Sequence, residues 1–160
     1  MDRQNSGVVV YDSKVDSLTP DGLFEKIKDK ENIALVETTT DGDVFGGFYS
    51  RAVTVKGYDV YNPDMFVFSF ESHGRCMTPQ RFAVIKTKKA WANVGFFHDH
   101  GGVVCYLLDG AGFSLGLRGV GSFCENMSQT FEGLQDSTLT GKDGPGLTHR
   151  CKRLVAVQLS

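Results

Sequence analysis

Long apolar runs, closely paired cysteines and a charge excess are all missing from this sequence of 160 residues. Its apolar segments are far shorter than the roughly 20 residues of a membrane-spanning helix. The short run Val8–Val10 is too short for the apolar core of a secretory signal. The net charge of −2 gives no field that would attract nucleic acid or an anionic membrane. We therefore expect a cytoplasmic protein that neither binds nucleic acid nor inserts into membranes.

The four cysteines are widely spaced, and the C-x-x-C pairs of zinc ribbons and redox motifs do not occur. In a protein without a secretory signal they are expected to be thiols. Cys76 follows Arg75, and Cys151 lies between Arg150 and Lys152. Neighbouring cations lower the pKa of a thiol and make it reactive, so Cys76 and Cys151 are the candidate redox thiols. Ordinary, unreactive thiols are the alternative.

What is present is a series of short segments rich in β-branched and aromatic residues, separated by turn signals that use many of the 19 glycines. This pattern predicts a mostly β fold, a two-sheet antiparallel β-sandwich with one or two short helices. The predicted strands cover residues 33–37, 44–55, 65–71, 82–87, 94–97, 103–108, 113–117 and 152–159. The strand at 65–71 is apolar on both faces, which predicts a central strand covered on both sides.

One helix is predicted directly after Thr19, because Thr19 is a good N-cap and Pro20 suits the first helical position. Residues 1–17 are assigned to an N-terminal extension that is partly flexible, and residues 18–160 to a single domain. That length is typical of one domain.

Glycines mark the segment 42–48. Gly42 follows Asp41 and suits the positive φ of a tight turn. Gly46 and Gly47 lie inside an apolar strand, which indicates a β-bulge or a close approach by another segment. We favour this structural interpretation over a binding role.

Two patterns could carry chemistry. His98 and His100 lie two residues apart and would share one face of an extended chain, but a zinc site needs a third and usually a fourth ligand. Loop histidines are the favoured interpretation, with a metal site as the alternative. The segment Gly112–Gly116 reads G-x-S-x-G, the pattern of a nucleophile elbow. Since the glycines after it disfavour the helix that an elbow requires, we expect Ser114 to lie on a strand.

Three segments, at residues 34–48, 64–70 and 124–134, carry sequence patterns that together resemble the TLDc domain family. The run 34–48 is similar to the family's opening strand, turn and Phe-Gly-Gly-aromatic segment, and includes Phe45. The run 64–70 is similar to an acidic residue followed by an aromatic strand that ends in Ser-aromatic. The run 124–134, through Ser128–Phe131 and Leu134, is similar to a Thr-Phe stretch near the family's C-terminus. The family-motif residues, which we interpret as structural, are Gly42, Phe45, Gly46, Gly47, Phe66, Phe68, Ser69, Thr130 and Phe131.

The resemblance implies a non-catalytic, intracellular, eukaryotic protein-interaction module that acts without a cofactor in resistance to oxidative stress. It also implies a protein partner, namely peripheral subunits of the vacuolar proton ATPase, and we expect a monomer. One departure is Val155–Gln158, which stands where the family usually carries a Glu-Val-Trp-like element. The alternative is an enzyme or ligand-binding β-sandwich that uses His98 and His100 or a reactive thiol.

Overall fold

The computed structural model describes residues 6–17, 19–77, 79–96, 103–107, 112–116, 123–142 and 148–160. Within these ranges the chain forms two antiparallel β-sheets and short helices. The strands are β1 Gly7–Asp12, β2 Ile33–Thr39, β3 Val44–Tyr49, β4 Val60–Tyr61, β5 Phe66–Glu71, β6 Gln80–Ala83, β7 Asn93–Phe96, β8 Val103–Leu107, β9 Gly112–Gly116, β10 Phe123–Glu125 and β11 Cys151–Leu159. The helices are α1 Pro20–Ile27, α2 Met127–Thr130 and a 3-10 helix at Lys86–Trp91.

The six-stranded sheet has the order β1-β11-β2-β3-β5-β6, and the five-stranded sheet has the order β10-β9-β8-β7-β4. The predicted fold class, a mostly β protein with two antiparallel sheets and few short helices, is confirmed. The C-terminal strand β11 lies between β1 and β2, so the two ends of the domain are joined in one sheet.

The core lies between the two sheets. The ring of Tyr49 on β3 is 6.0 Å from that of Phe96 on β7, and Phe24 of α1 is 6.3 Å from the same ring. Leu35 on β2 and Phe45 on β3 are fully buried on the same inner face. Side chains alternate along each strand, so every second side chain of the six-stranded sheet points into the core. The side chains between them lie on the outer face of that sheet.

The helix α1 begins as predicted, directly after Thr19, and ends at Ile27. The hydroxyl of Thr19 accepts a hydrogen bond of 2.9 Å from the amide of Gly22, which satisfies one of the free N–H groups of the first turn. Leu23, Phe24 and Ile27 are buried on one face of the helix. This burial explains why such a short helix is stable, because its apolar face packs into the core.

The structure has three strands that were not predicted, namely β1, β4 and β10, and two of the predicted strands end early. Residues 7–12, assigned to the extension, form β1, which pairs with β11 and places Tyr11 in the core. The predicted strand 44–55 ends at Tyr49. The predicted strand 82–87 ends at Ala83. Lys86–Trp91 instead forms a 3-10 helix, and its lysines and Trp91 are exposed to solvent. Ser114 lies on β9, as predicted.

Candidate functional site

The outer face of the six-stranded sheet carries a ladder of aromatic rings. Phe48 on β3 stacks on Phe66 of β5, with ring centroids 4.8 Å apart. Along β5 the centroids of Phe66 and Phe68 are 6.3 Å apart, and those of Phe68 and Phe70 are 4.9 Å apart. Such offset and tilted contacts are favourable arrangements for aromatic pairs. Phe70, at the end of the ladder, is 55% exposed to solvent.

The register of the strands makes this face continuous. Val157 on β11 lies opposite Ala34 on β2, which lies opposite Phe48, and Phe48 lies opposite Phe66. Phe66 in turn lies opposite Ala83 on β6. The result is an uninterrupted row of apolar side chains across five neighbouring strands of the sheet.

The part of this row from Val157 to Phe66 forms the floor of a groove of about 440 Å³. Apolar side chains line it, with the exception of Gln80 and Arg81 on β6. The guanidinium carbon of Arg81 lies 4.5 Å from the centroid of the Phe66 ring, a cation–π contact. Arg81 takes part in none of the ion pairs between described residues. The groove therefore combines an aromatic floor with a cation at one end, and we refer to it as the outer groove.

Gly46 shapes the groove from below. A β-carbon built at Gly46 would stand 1.9 Å from the carbonyl oxygen of Leu35 and 2.7 Å from Cζ of Phe68. The ring of Phe68 thus lies directly on the glycine, which confirms the predicted close approach. A shift in register also occurs between Val44 and Phe45, so the strand has a bulge or irregularity just before the glycines.

Five further family-motif residues lie in a turn or are buried. Gly42 has φ of 96°, as expected for a residue in the turn between β2 and β3. Phe45 and Phe131 are fully buried in the core. Thr130 is buried, and its hydroxyl donates a 2.9 Å hydrogen bond to the carbonyl oxygen of Asn126. Ser69 is also buried, and its hydroxyl has no hydrogen-bond partner among the described residues.

Asp43 and Arg75 together link three loops. Asp43 is 2% exposed, and its Oδ1 lies 2.8 Å from Nδ1 of His73 and accepts a hydrogen bond from Nη2 of Arg75. Arg75 also donates from Nε to the carbonyl oxygen of Thr138 at 2.8 Å and from Nη2 to that of Leu139 at 3.2 Å. All of these contacts join one loop to another, so the cluster stabilises the arrangement of the loops.

Glu37 and His149 form a second buried pair. Nε2 of His149 is 3.0 Å from Oε1 of Glu37, and both side chains are at most 1% exposed. The distance suits an ion pair, but neither side chain has a contact with good hydrogen-bond geometry among the described residues. The ring of His149 also meets Phe45 edge-on, with centroids 5.4 Å apart. This pair was not predicted from the sequence, because residues 37 and 149 are far apart in the chain and no local pattern indicates that their side chains meet.

The thiol of Cys151 lies beside this pair, and its environment is opposite to the predicted one. Burial raises the pKa of Cys151, and the nearby carboxylate of Glu37 raises it further. The flanking residues Arg150 and Lys152 do not lower it; Arg150 and Lys152 are exposed, whereas the thiol is partly buried. A peroxide-reactive thiol needs a lowered pKa, so the cause assumed from the sequence does not operate at Cys151. Cys76 is a partly buried free thiol packed against the core.

His98 and His100 lie outside the described residues. Among the residues that the structure does describe, no group of three or more histidine, cysteine and acidic side chains is arranged to hold a metal ion. No helix within the described ranges is long and apolar enough to cross a membrane.

The outer groove was not predicted as a site. Its signal was present in the apolar residues on both faces of the predicted strand 65–71, which were interpreted as burial on both sides. In the structure, Phe66 and Phe70 on the outer side line an open groove instead. The contribution of Arg81 could not be inferred, because it depends on the pairing of β6 with β5.

A family model described as the TLDc domain matches residues 2–140, which is most of the chain. A search of curated proteins finds no match.

Proposed function

The chain belongs to the TLDc domain family, and we propose that it is a non-catalytic protein-interaction module. By resemblance to that family, its partners are peripheral subunits of the vacuolar proton ATPase, and its role is in resistance to oxidative stress. The observation that carries the interaction role is the outer groove, an open apolar surface on a domain whose core lies elsewhere. Exposed apolar surfaces of this kind mark sites of interaction with other molecules.

The Glu37–His149 pair does not support a competing enzymatic function, because both side chains are almost completely buried. A catalytic group has to reach the substrate, and neither side chain does. The contacts of Asp43 are likewise used to join loops. No observation on the described residues therefore favours an enzyme over an interaction module, and the alternative based on His98 and His100 stays a prediction.

The partner is tested by direct binding between purified components. The complete chain is immobilised, and the purified peripheral sector of a vacuolar ATPase is passed over it in biolayer interferometry. Saturable binding with a micromolar or lower dissociation constant is expected. Absence of binding at saturating concentrations of the sector would remove the ATPase from the proposal.

The stress role is tested separately in cells. Cells that lack their own TLDc proteins are expected to survive a peroxide challenge better when they express this chain. A Cys76→Ser/Cys151→Ser variant serves as the control for direct scavenging, because a module that acts through protein contacts should protect equally well without either thiol. Loss of protection in this folded variant would contradict the non-catalytic account.

A further inference from the structure

We infer that the outer groove binds an amphipathic α-helix of a protein partner, with an acidic residue of that helix at Arg81. This inference rests on the proposed function, since it takes the chain to be an interaction module. It adds the place of binding, the secondary structure of the bound segment and the orientation of that segment.

The shape of the groove favours a helix. Its lining residues come from β11, β2, β3, β5 and β6, which are neighbours in the sheet. At a spacing of about 4.8 Å between strands, the groove is about 19 Å long across the sheet. A helix of about 13 residues has this length at 1.5 Å per residue. One turn of that helix rises about 5.4 Å, so successive apolar side chains on one face would meet successive strands.

The position of the groove argues against a bound β-strand. A strand that joins a sheet needs the free N–H and C=O groups of an edge strand. The groove lies on the face of the sheet, and its central strands β2, β3 and β5 already have partners on both sides. Because this face offers side chains and no backbone groups, the occupant has to satisfy its own backbone hydrogen bonds, as a helix does.

The charges at the two ends of the sheet set the direction. At the β1 side of the sheet, Asp12 is paired with Arg153, and neither residue lines the groove. At the β6 end, Arg81 is exposed, its guanidinium lies over the electron-rich face of Phe66, and it takes part in none of the ion pairs between described residues. A carboxylate on the bound helix would pair with Arg81, and the negative end of the helix dipole would also favour this side. The helix is therefore expected to lie with its C-terminal turn at β6.

The test uses three fluorescein-labelled peptides of 14 residues with blocked ends. The first has leucine at positions 1, 4, 8 and 11 and glutamate at position 12, with alanine, glutamine and lysine elsewhere. The second has lysine at position 12. The third has the composition of the first in an order that removes the apolar face. Binding to the complete chain is measured by fluorescence anisotropy.

The first peptide is expected to bind at least tenfold more tightly than the second, and the third is expected not to bind. Arg81→Glu should reverse the preference between the first two peptides. Phe70→Ser should weaken both by about tenfold. Trp91→Ser is the matched control, since Trp91 is 70% exposed but does not line the groove, and it should change neither affinity.

Several results would overturn the inference. These are failure of the first peptide to bind, equal binding of the third peptide, or an unchanged preference in folded Arg81→Glu. A dimer that Phe70→Ser converts into a monomer in analytical ultracentrifugation would show that a second copy occupies the groove.

The experiments distinguish failure of the groove inference from failure of the proposed function. If the ATPase sector binds wild-type chain and Phe70→Ser equally well, the interaction module stands and the groove inference is wrong. If the first peptide binds as expected but the sector does not bind at all, the groove inference stands and the ATPase is the wrong partner.

Discussion

The ring of Phe68 lies on the backbone of Gly46, so closely that a β-carbon at Gly46 would stand 2.7 Å from its Cζ atom. The same β-carbon would stand 1.9 Å from the carbonyl oxygen of Leu35, a backbone atom of the neighbouring strand that cannot rotate away. The glycine thus allows the outer face to be packed with aromatic rings while the sheet stays paired beneath it.

Gly46→Ala is expected to reduce the free energy of unfolding by about 3 kcal/mol, at the upper end of the usual cost of overpacking. Urea unfolding measures the change. Gly57→Ala is the control, because Gly57 has open space around it and only the strain of a φ of 82°, which costs about 1 kcal/mol. An equal or smaller loss at Gly46 would contradict the close contact.

The Glu37–His149 pair is expected to stabilise the fold only as long as both members are present. Glu37→Leu or His149→Leu alone should cost about 3–5 kcal/mol, because each leaves a buried polar partner without its counterpart. The double variant should be more stable than either single variant, since an apolar pair leaves no such group. Urea unfolding of the four proteins gives the coupling energy.

Glu25→Leu is the matched control for that cycle. Glu25 lies on the exposed side of α1, and its replacement should change stability by less than about 0.5 kcal/mol. If Glu37→Leu costs as little as Glu25→Leu, the buried pair contributes nothing measurable.

Cys151 is expected to react slowly. Because burial and Glu37 raise its pKa, less of the thiol is ionised at neutral pH than in a free cysteine. Alkylation by iodoacetamide at pH 7.5, followed by mass spectrometry, should be at least tenfold slower at Cys151 than in free cysteine. Glu37→Gln should accelerate it, provided that circular dichroism shows a folded protein. A rate equal to or above that of free cysteine would restore Cys151 as a redox thiol.

The pair between Asp12 and Arg153 is expected to make stability depend on acid pH. Hydrogen bonds from Arg153 and from the amide of Lys14 lower the pKa of Asp12 to about 2. A carboxyl with a lowered folded-state pKa contributes stability above its unfolded pKa near 3.8, and this contribution is lost as pH falls towards 2. The stability difference between wild type and Asp12→Asn should therefore be constant from pH 7 to pH 5 and shrink between pH 4 and pH 2.

Thermal unfolding monitored by circular dichroism at each pH measures this difference. Asp64→Asn is the control at an exposed aspartate in another loop. A difference for Asp12→Asn that does not change between pH 5 and pH 2.5 would show that the pair does not hold β1 against β11.

Local signals in the sequence predicted the architecture well. Thr19 and Pro20 predicted the start of α1, and the alternation of residues 33–37 predicted β2, because capping and burial act over a few residues. The end of β3 and the 3-10 helix were missed, since tertiary contacts decide where an exposed segment stops being a strand.

The candidate site was harder to predict for the same reason. The outer groove depends on the strand register that places Phe48 opposite Phe66. The Glu37–His149 contact joins two residues that are far apart in the sequence. An apolar strand carries the same pattern whether its outer face is covered by another layer or open to a partner. Sequence reasoning therefore found the aromatic residues but not their exposure.

The most direct test of the account is hydrogen–deuterium exchange of the complete chain, alone and with the purified peripheral sector of a vacuolar ATPase. Pepsin fragments that cover β5 and β6, with Phe70 and Arg81, should become protected in the complex, while the fragment with Trp91 should exchange as before. Protection confined to segments away from the outer sheet, or no change at saturating sector, would contradict binding through this face.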